Sequence, residues 1–303
     1  MITKNQKIVL IDGYAQIYRA FYGIRNLTNS KNEPSNALFG MARFLLKLDE
    51  TAAYKHEFAA FVLDKGKSSK RLAIHPDYKG TRKPMPDELR SQIPWIREWV
   101  EASGIPIIEK QGIEADDLIG AIATNYLENS ILIFSADKDL AQLVNDNTFL
   151  MTPGKKGEAI RMDYDLVVNK FGVTPKQVVD YLSLVGDSAD NIPGVVGVGA
   201  KTAAKLLQEY GNIEGIYANL EKITRKKMYA SLAASHQLLV KNKKLISLDL
   251  TMLDNWNGLK TIERKQPNWE KLMNIATNHN LQTILKSITE NRQRNRNPTL
   301  FDF

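Results

Sequence analysis

Aspartates directly follow three of the apolar runs that we interpret as buried parallel strands. These residues are Asp12, Asp64 and Asp137, and Asp139 lies two residues beyond the last of them. In an open parallel sheet the carboxyl ends of the strands share one edge, and ligands bind at that edge. The sequence therefore predicts that these carboxylates converge.

Two further groups of acids are expected at the same edge. Glu114, Asp116 and Asp117 open a predicted helix after another strand, and Asp187 and Asp190 are spaced to share one face of a helix or tight turn. Taken singly, such an acid is usually a helix cap or a turn former. Gathered within about 10 Å, however, so many carboxylates repel one another unless cations neutralise them.

The chemistry of the ligands favours hard cations. The chain of 303 residues has no cysteine and four scattered histidines. Carboxylate ligation favours Mg²⁺ or Mn²⁺ over Zn²⁺. Two such ions about 4 Å apart activate a water and stabilise the leaving oxygen of a phosphodiester. We therefore expect two Mg²⁺ ions, for which Mn²⁺ can substitute.

A basic segment between residues 65 and 90 leaves the sheet beside the predicted acidic site. Its cations are Lys65, Lys67, Lys70, Arg71, Lys79, Arg82, Lys83 and Arg90. Lys79 and Arg82 are spaced to share a helical face and suit a phosphate under attack. Tyr78 is expected to stack on an unpaired base. The alternative is a solvated charged loop with a packed tyrosine.

A glycine-rich hairpin precedes a predicted helix in the stretch 186–207. Its glycines are Gly194, Gly197 and Gly199, and the helix opens with Lys201 and Thr202. Free backbone N–H groups beside a helix N-terminus bind phosphate. The hairpin is therefore predicted to hold a nucleic-acid backbone regardless of base sequence.

Alternating strands and helices predict a doubly wound α/β fold with a mostly parallel sheet. From about residue 177 the strand pattern gives way to helices. The predicted organisation is a catalytic domain over residues 1–176, a helical DNA-binding lobe over 177–290 and a flexible tail over 291–303. The first residues contain only a short apolar run, so we expect a cytoplasmic protein without a signal peptide or membrane span.

Four motifs resemble those of the 5′-nuclease (flap endonuclease) family: GIEADD, SADKDLAQLV, GDSADN and IPGVVGVGAKTAAKLL. The chain is similar to the 5′→3′ exonuclease domain of bacterial DNA polymerase I and to stand-alone bacterial flap endonucleases, from about Lys7 to Leu250. The resemblance implies a PIN-like α/β domain with a helical arch at about 65–90. It also implies that the C-terminal lobe carries a helix–hairpin–helix or helix–turn–helix DNA-binding element.

The resemblance also implies roles for individual residues. The first metal site takes Asp12, Asp64, Glu114, Asp116 and Asp117, and the second takes Asp137, Asp139, Asp187 and Asp190. The implied catalytic residues are Lys79, Arg82, Asp116 and Asp187. The implied DNA contacts are Arg19, Lys70, Arg71, Tyr78, Lys79, Arg82, Gly194, Gly197, Gly199, Lys201 and Thr202, with a K⁺ ion at the Pro193–Thr202 hairpin. The chain departs from the family where Lys70, instead of phenylalanine, precedes Arg71.

The implied function is that of a structure-specific 5′ nuclease that removes flaps and primers in replication and repair. Its partners would be branched or nicked DNA, 5′ flaps and RNA primers, and we expect a monomer associated with a bacterial nucleoid and not with membranes. Leu300 and Phe301 resemble the peptides that bind the sliding clamp. The alternatives are a non-catalytic scaffold for branched DNA and a PIN-like ribonuclease. The complete set of acids disfavours the first, and the hairpin with Tyr78-Lys79-x-x-Arg82 disfavours the second.

Overall fold

The fold is described from a computed structural model, for residues 6–51, 54, 56–154, 158–251 and 256–296. The predicted clamp-binding residues Leu300 and Phe301 lie outside these ranges. Within them no helix has the length and apolar character needed to cross a membrane.

The strands are short, and most of them pair in parallel. They are β1 (Lys7–Asp12), β2 (Phe58–Val62), β3 (Ile107–Ile108), β4 (Ser130–Phe134), β5 (Thr148–Pro153), β6 (Ala159–Met162), β7 (Gly186–Asp187) and β8 (Ile192–Pro193).

The helices account for most of the remaining chain. They are α1 (Gly13–Gly23), α2 (Asn36–Glu50), α3 (Ser69–Ile74), α4 (Asp87–Arg90), α5 (Ile93–Ala102), α6 (Ala115–Asn125), α7 (Tyr164–Phe171), α8 (Val178–Val185), α9 (Ala200–Tyr210), α10 (Ile213–Ala218), α11 (Lys226–Ala234), α12 (His236–Ile246), α13 (Trp269–Asn278) and α14 (Gln282–Arg296).

The chain folds into two compact units, each built from separate segments. The first contains residues 1–63, 84–109 and 255–303. In it β1 and β3 flank β2 in parallel, with Ile8 opposite Phe58 and Val62 opposite Ile108. The middle residues of β1 and β2 are fully buried because they are continuously apolar, as expected of strands covered on both faces.

The second unit contains residues 64–83 and 110–254. Its strand β4 pairs in parallel with β5, which pairs antiparallel with β6. Strands β7 and β8 form a two-residue antiparallel ladder that joins Asp187 to Ile192. Beyond residue 175 this unit is otherwise helical. The mostly parallel α/β fold followed by a helical segment is thus confirmed.

The structure differs from the sequence-based expectations at several boundaries. The helix expected over 228–241 is two helices that meet at Ser235, and the one expected over 268–286 breaks where Asn280 takes a left-handed φ of 55°. Helix α14 continues to Arg296, past the predicted start of the tail at residue 291. The strand or extended segment considered for 246–252 is not a strand in its described residues: Ile246 ends α12, Ser247 has an extended backbone, and residues 250–251 form a turn.

Candidate active site

Three carboxylates of the second unit lie close enough together to bind one cation. Asp139, Asp187 and Asp190 each offer an oxygen, and these oxygens lie within 4.8 Å of one another. Asp139 begins a 3₁₀ turn shortly after β4, whereas Asp187 ends β7. The loop after β4 is held by its own side chains, because the backbone N–H of Asp139 donates to Asp137 Oδ1 at 2.9 Å. Asp187 and Asp190 are both buried.

This arrangement keeps carboxylates in a poorly solvated place. Burial raises the pKa of Asp137, with Asp190 and Asp187 adding to the increase. Burial also raises the pKa of Asp139 well above its ordinary value, and the carboxylates of Asp137, Asp187 and Asp190 raise it further. Asp139 Oδ1 is buried and has no hydrogen-bond partner among the described residues. An all-carboxylate donor set with an unpartnered buried oxygen fits a hard divalent cation.

The other predicted acids of this unit surround the start of helix α6. Glu114 occupies the N-cap position of α6 and is buried. The backbone N–H of Ala115 donates to Asp64 Oδ1 at 2.8 Å, which fixes Asp64 beside the helix N-terminus. Asp116 is half-buried in the first turn. Negative charge is favourable near a helix N-terminus, so this turn stabilises the acids placed on it.

Arg71 is buried in an ion pair instead of being exposed for DNA. Its guanidinium donates twice to Asp117, at 2.6 and 2.8 Å, and once to Glu114 at 2.9 Å. It also donates to the backbone carbonyls of Leu245 and Ser247. Burial opposes the charge of Arg71, but Asp117 and Glu114 more than offset it and raise the pKa of Arg71. In this structure the guanidinium of Arg71 is therefore occupied by acids, and its contact with DNA stays a prediction.

Asp117, a predicted metal ligand, contacts Arg71 and residue 249 in this structure. Both of its oxygens accept from Arg71, and Oδ1 accepts the backbone N–H of Asp249 at 2.9 Å. With its oxygens engaged in this way, Asp117 holds Arg71 and residue 249 in place. The neighbouring Lys70 is exposed and pairs with Asp249 at 2.5 Å.

Tyr78 is buried rather than free to stack on a base. Its hydroxyl lies 2.9 Å from Asp190 Oδ2 and 3.2 Å from Glu114 Oε2, so it bridges the two groups of carboxylates. Burial, together with the charges of Glu114 and Asp190, raises the pKa of Tyr78 and keeps the hydroxyl protonated as a donor. Base stacking by Tyr78 stays a prediction, and in this structure the two carboxylates hold the hydroxyl inward.

Lys79 and Arg82 form ion pairs with carboxylates of the site. Lys79 Nζ is 2.9 Å from Glu114 Oε1 and 3.9 Å from Asp190 Oδ2, and Arg82 Nη2 is 2.5 Å from Asp190 Oδ1. Burial lowers the pKa of Lys79, but Glu114 and Asp190 have the larger combined effect and raise it. Residues 65–83 contain the six-residue helix α3 and a turn, and most of them are exposed; Arg71, Tyr78, Lys79 and Arg82 are the side chains of this segment that reach the acids.

Lys138 is a further residue of the cluster that the sequence reasoning did not single out. Its Nζ lies 3.2 Å from Asp187 Oδ1. Its position in the motif SADKD could have identified it from the sequence. A lysine between two predicted metal ligands must lie near their carboxylates.

The predicted hairpin has one packed glycine and two open ones. A Cβ on Gly194 would lie 2.1 Å from the carbonyl oxygen of Val185, whereas one on Gly197 or Gly199 would meet nothing within 4 Å. Gly197 has a φ of 79°, and Val196 beside it is 82% exposed. Glycine at 194 is thus needed for packing, and the turn around 197 presents open backbone.

Helix α9 begins directly after this turn. Gly199 is its N-cap residue, and Lys201 and Thr202 lie in its first turn, with Lys201 exposed. Both the N-terminal backbone and a cation are therefore presented at the start of this helix.

Asp12 and Arg19 belong to the first unit. Asp12 is buried at the end of β1 and caps α1, since its carboxylate accepts the backbone N–H of Ala15 at 3.2 Å. Arg19 is exposed on α1. Every other predicted metal ligand belongs to the second unit.

Two family models match successive parts of the chain. The model described as 5′-3′ exonuclease, N-terminal resolvase-like domain, matches residues 7–172. The model described as 5′-3′ exonuclease, C-terminal SAM fold, matches residues 173–270.

Curated relatives include both stand-alone and longer proteins. A 5′-3′ exonuclease of Aquifex aeolicus is 35% identical over 93% of this chain and 94% of that protein. A DNA polymerase I of Caldicellulosiruptor bescii is 38% identical over 93% of this chain but only 33% of that protein. The chain thus spans about a third of the polymerase relatives.

Solved structures share the fold at low sequence identity. The 5′-exonuclease of bacteriophage T5 with bound zinc matches with a TM-score of 0.65 and 22% identity, over 94% of this chain and 99% of that one. The T5 flap endonuclease in a pseudo-enzyme-product complex with DNA and metal ions matches with a TM-score of 0.63 and 22% identity, over 94% of this chain and 98% of that one.

Proposed function

The chain belongs to the 5′-3′ exonuclease family, and we propose that it is a divalent-metal-dependent nuclease that hydrolyses DNA phosphodiesters at single-strand/duplex junctions. The observation that carries the proposal is the cluster of Asp139, Asp187 and Asp190, with Lys79 and Arg82 beside it in one unit. Acids that bind cations and cations that bind phosphate are the two components that phosphodiester hydrolysis requires.

The carboxylates with available oxygens are the proposed metal ligands. Asp139, Asp187 and Asp190 would hold one ion, and Asp64, Glu114, Asp116 and Asp137 of the same unit are proposed as further ligands of the two-ion site. Asp117, and Asp12 of the first unit, are kept as additional proposed metal ligands. Mg²⁺ is the proposed cofactor, with Mn²⁺ as a substitute, since the ligands are hard oxygens. When bound, such ions lower the pKa of a water and neutralise the charge that develops on the phosphate.

Lys79 and Arg82 are proposed to bind the scissile phosphate. Their pKa values are raised, since nearby carboxylates outweigh the effect of burial, so both remain charged at neutral pH. In the structure their charges are directed at Glu114 and Asp190. A phosphate that enters the site would compete for the same N–H donors, and the two cations would orient it for attack.

The hairpin is proposed to hold duplex DNA. Its open backbone at Gly197 and Gly199, with Lys201 and Thr202 on the first turn of α9, suits phosphate oxygens of any sequence. A K⁺ ion at Pro193–Thr202 is part of this proposal. Arg19 and Lys70 are proposed as additional exposed contacts to the DNA backbone.

The proposed substrates are branched or nicked DNA, 5′ flaps and RNA primers, in replication and repair. This proposal draws on relatives named 5′-3′ exonuclease and DNA polymerase I and on a T5 structure solved with DNA. A monomer associated with the bacterial nucleoid, and clamp binding through Leu300 and Phe301, are further proposals. A pulldown on the sliding clamp with and without residues 298–303 tests the last; equal retention would refute it.

The decisive experiment compares substrates, metal and one matched pair of variants. A 5′-labelled flap, a nicked duplex, a single strand and an all-RNA strand are incubated with Mg²⁺ or with EDTA. We expect junction-selective cleavage with Mg²⁺ and none with EDTA. Asp139→Asn should lower the rate at least about 100-fold, since even supporting residues of metal sites cost 10–100-fold. Asp146→Asn removes the same charge from an exposed loop and should leave the rate unchanged. Cleavage that persists in EDTA, or a preference for the RNA strand, would contradict the proposal.

A further inference from the structure

Lys79 has an unusual backbone conformation. Its φ is 55°, and among the described residues it is the only one with a positive φ that is neither glycine nor asparagine. A long side chain in this left-handed region costs about 1–2 kcal/mol. The surrounding structure must therefore hold it there. Asn191, which also has a positive φ of 58°, lies directly against this turn.

Three hydrogen bonds join the turn at 75–79 to the turn at 190–191. The backbone N–H of Lys79 donates to the carbonyl oxygen of Asp190 at 3.0 Å. The side-chain amide of Asn191 donates to the carbonyl oxygen of Asp77 at 2.9 Å. The ring Nε2 of His75 lies 2.9 Å from the carbonyl oxygen of Asn191. We call this set of contacts the turn–turn latch.

The partners of His75 determine its tautomer. A backbone carbonyl can only accept a hydrogen bond, so Nε2 carries the hydrogen. Nδ1 lies 3.2 Å from the ammonium of Lys241, which can only donate, so Nδ1 accepts. His75 is therefore held between helix α12 and the turn at 190–191. Both of its ring nitrogens are engaged, Nε2 within the latch and Nδ1 with Lys241.

We propose that His75 and Asn191 are positioning residues that hold Lys79 and Arg82 on the metal-binding carboxylates through this latch. The proposal rests on the proposed function, in which those two cations bind the scissile phosphate. Arg82 follows the same turn, because its backbone N–H donates to the carbonyl oxygen of Lys79 at 3.2 Å. Neither His75 nor Asn191 contacts the substrate in this proposal.

The latch also connects the cations to the DNA-holding hairpin. Asn191 is followed by Ile192, which pairs with Asp187 across the β7–β8 ladder, and Pro193 begins the hairpin. The carbonyl of Pro193 is held by the amide of Asn242 at 2.7 Å. One short segment thus fixes the phosphate-binding cations, two carboxylates and the start of the hairpin relative to one another. Loss of the latch should allow Lys79 to relax to a negative φ, so that its ammonium no longer meets the phosphate held by the hairpin.

The test uses His75→Ala and Asn191→Gly, each of which removes one latch donor. Glycine at 191 tolerates the positive φ, so that variant loses the amide without added backbone strain. His75→Gln keeps an N–H donor, and His236→Ala removes an exposed histidine from helix α12 as a matched control. Rates are measured in single turnovers on the 5′-labelled flap with Mg²⁺.

We expect His75→Ala and Asn191→Gly to lower the single-turnover rate about 10- to 100-fold, the effect of displacing a catalytic group by about 1 Å. Their affinity for the flap in EDTA should stay within about twofold, because the loss is confined to the chemical step. His75→Gln should recover part of the rate, and His236→Ala should match the wild type. The cut position should spread over neighbouring phosphates in the two deleterious variants.

A double-mutant cycle separates positioning from general stability. In a background that carries both Lys79→Met and Arg82→Met, adding His75→Ala should lower the rate by less than about twofold, since both groups that it positions are already gone. An equal loss in both backgrounds would overturn the proposal, and so would wild-type rates for both latch variants. A wild-type protein that cleaves none of the substrates would overturn the proposed function and the latch together, whereas a cleaving wild type with unaffected variants overturns the latch alone. If Asn191→Gly fails to fold, the His75 variants and the double-mutant cycle still test the proposal.

Discussion

Replacement of Arg71 by methionine tests how the acidic site is supported. The Arg71 side chain is 7% exposed and donates to Asp117, Glu114 and two backbone carbonyls. Methionine fills much of the same space but leaves Asp117, which is 3% exposed, as an uncompensated buried charge. Removing one partner of such a pair costs about 3–5 kcal/mol.

The expected loss is large enough to measure by thermal unfolding in EDTA. A domain of 150–250 residues loses roughly 2–4 °C in Tm per kcal/mol, so Arg71→Met should melt roughly 6–20 °C below the wild type. The matched control is Lys70→Met at the adjacent position. Lys70 is 65% exposed and pairs only at the surface with Asp249, so its loss should cost at most about 1 kcal/mol.

A double variant sharpens the interpretation. Arg71→Met combined with Asp117→Asn should recover part of the lost stability, because the uncompensated charge is removed. The reasoning would be refuted if Arg71→Met unfolded within about 1 kcal/mol of the wild type, or if Lys70→Met were equally destabilising. If Arg71 were an exposed contact to DNA, as predicted from the sequence, Arg71→Met would lower the affinity for DNA without this loss of stability.

Three further predictions follow from other parts of the structure. Gly194→Ala should lower the free energy of unfolding by more than about 1 kcal/mol, because its Cβ would lie 2.1 Å from a backbone oxygen. Gly199→Ala, whose Cβ would lie in open space, should leave the free energy of unfolding nearly unchanged. Urea unfolding measures both, and equal losses would contradict this prediction. Burial lowers the pKa of His279, so its contribution to stability is present above pH 6.5 and is lost as the pH falls through the lowered value. His279→Gln should therefore flatten the acid side of the stability profile of the metal-free protein, and an unchanged profile would count against it. Mn²⁺ should raise the Tm of the wild type by more than that of Asp139→Asn, which keeps the other proposed ligands; an equal shift in both would show that Asp139 is not a ligand.

The sequence was sufficient to predict where the acids stand on the fold. The continuously apolar runs around β1, β2 and β4 predict buried strands, and the polar residues that follow them must lie at strand ends. The carboxylates of residues 137–139 were therefore placed correctly after β4. The helical character beyond residue 175 was equally readable from its periodicity.

The surroundings of the acids were not readable in this way. A stretch as basic as 65–83 is ordinarily solvated, and the sequence does not show that Arg71 and Tyr78 are drawn inward. Their partners, Asp117 and Asp190, lie 46 and 112 residues later in the chain. Local composition predicts the charge of a segment and its propensity for helix or strand. The burial of a cation depends instead on which carboxylates the tertiary fold brings to it. The same holds for His75, whose partner Asn191 lies 116 residues later in the chain.

The long sequence separations around Arg71 constrain how the site forms during synthesis. The carbonyls of Leu245 and Ser247, which accept from Arg71, lie 174 and 176 residues after it. At about 5–20 residues per second, a ribosome needs roughly 9–35 s to make the chain between Arg71 and Ser247. During that time the basic segment lacks its last partners. The boundary at residue 172 between the two matched family regions is therefore not a folding boundary for this site. A fragment that ends there would lack Asp190 and both carbonyls, and we expect its acidic cluster to stay unassembled.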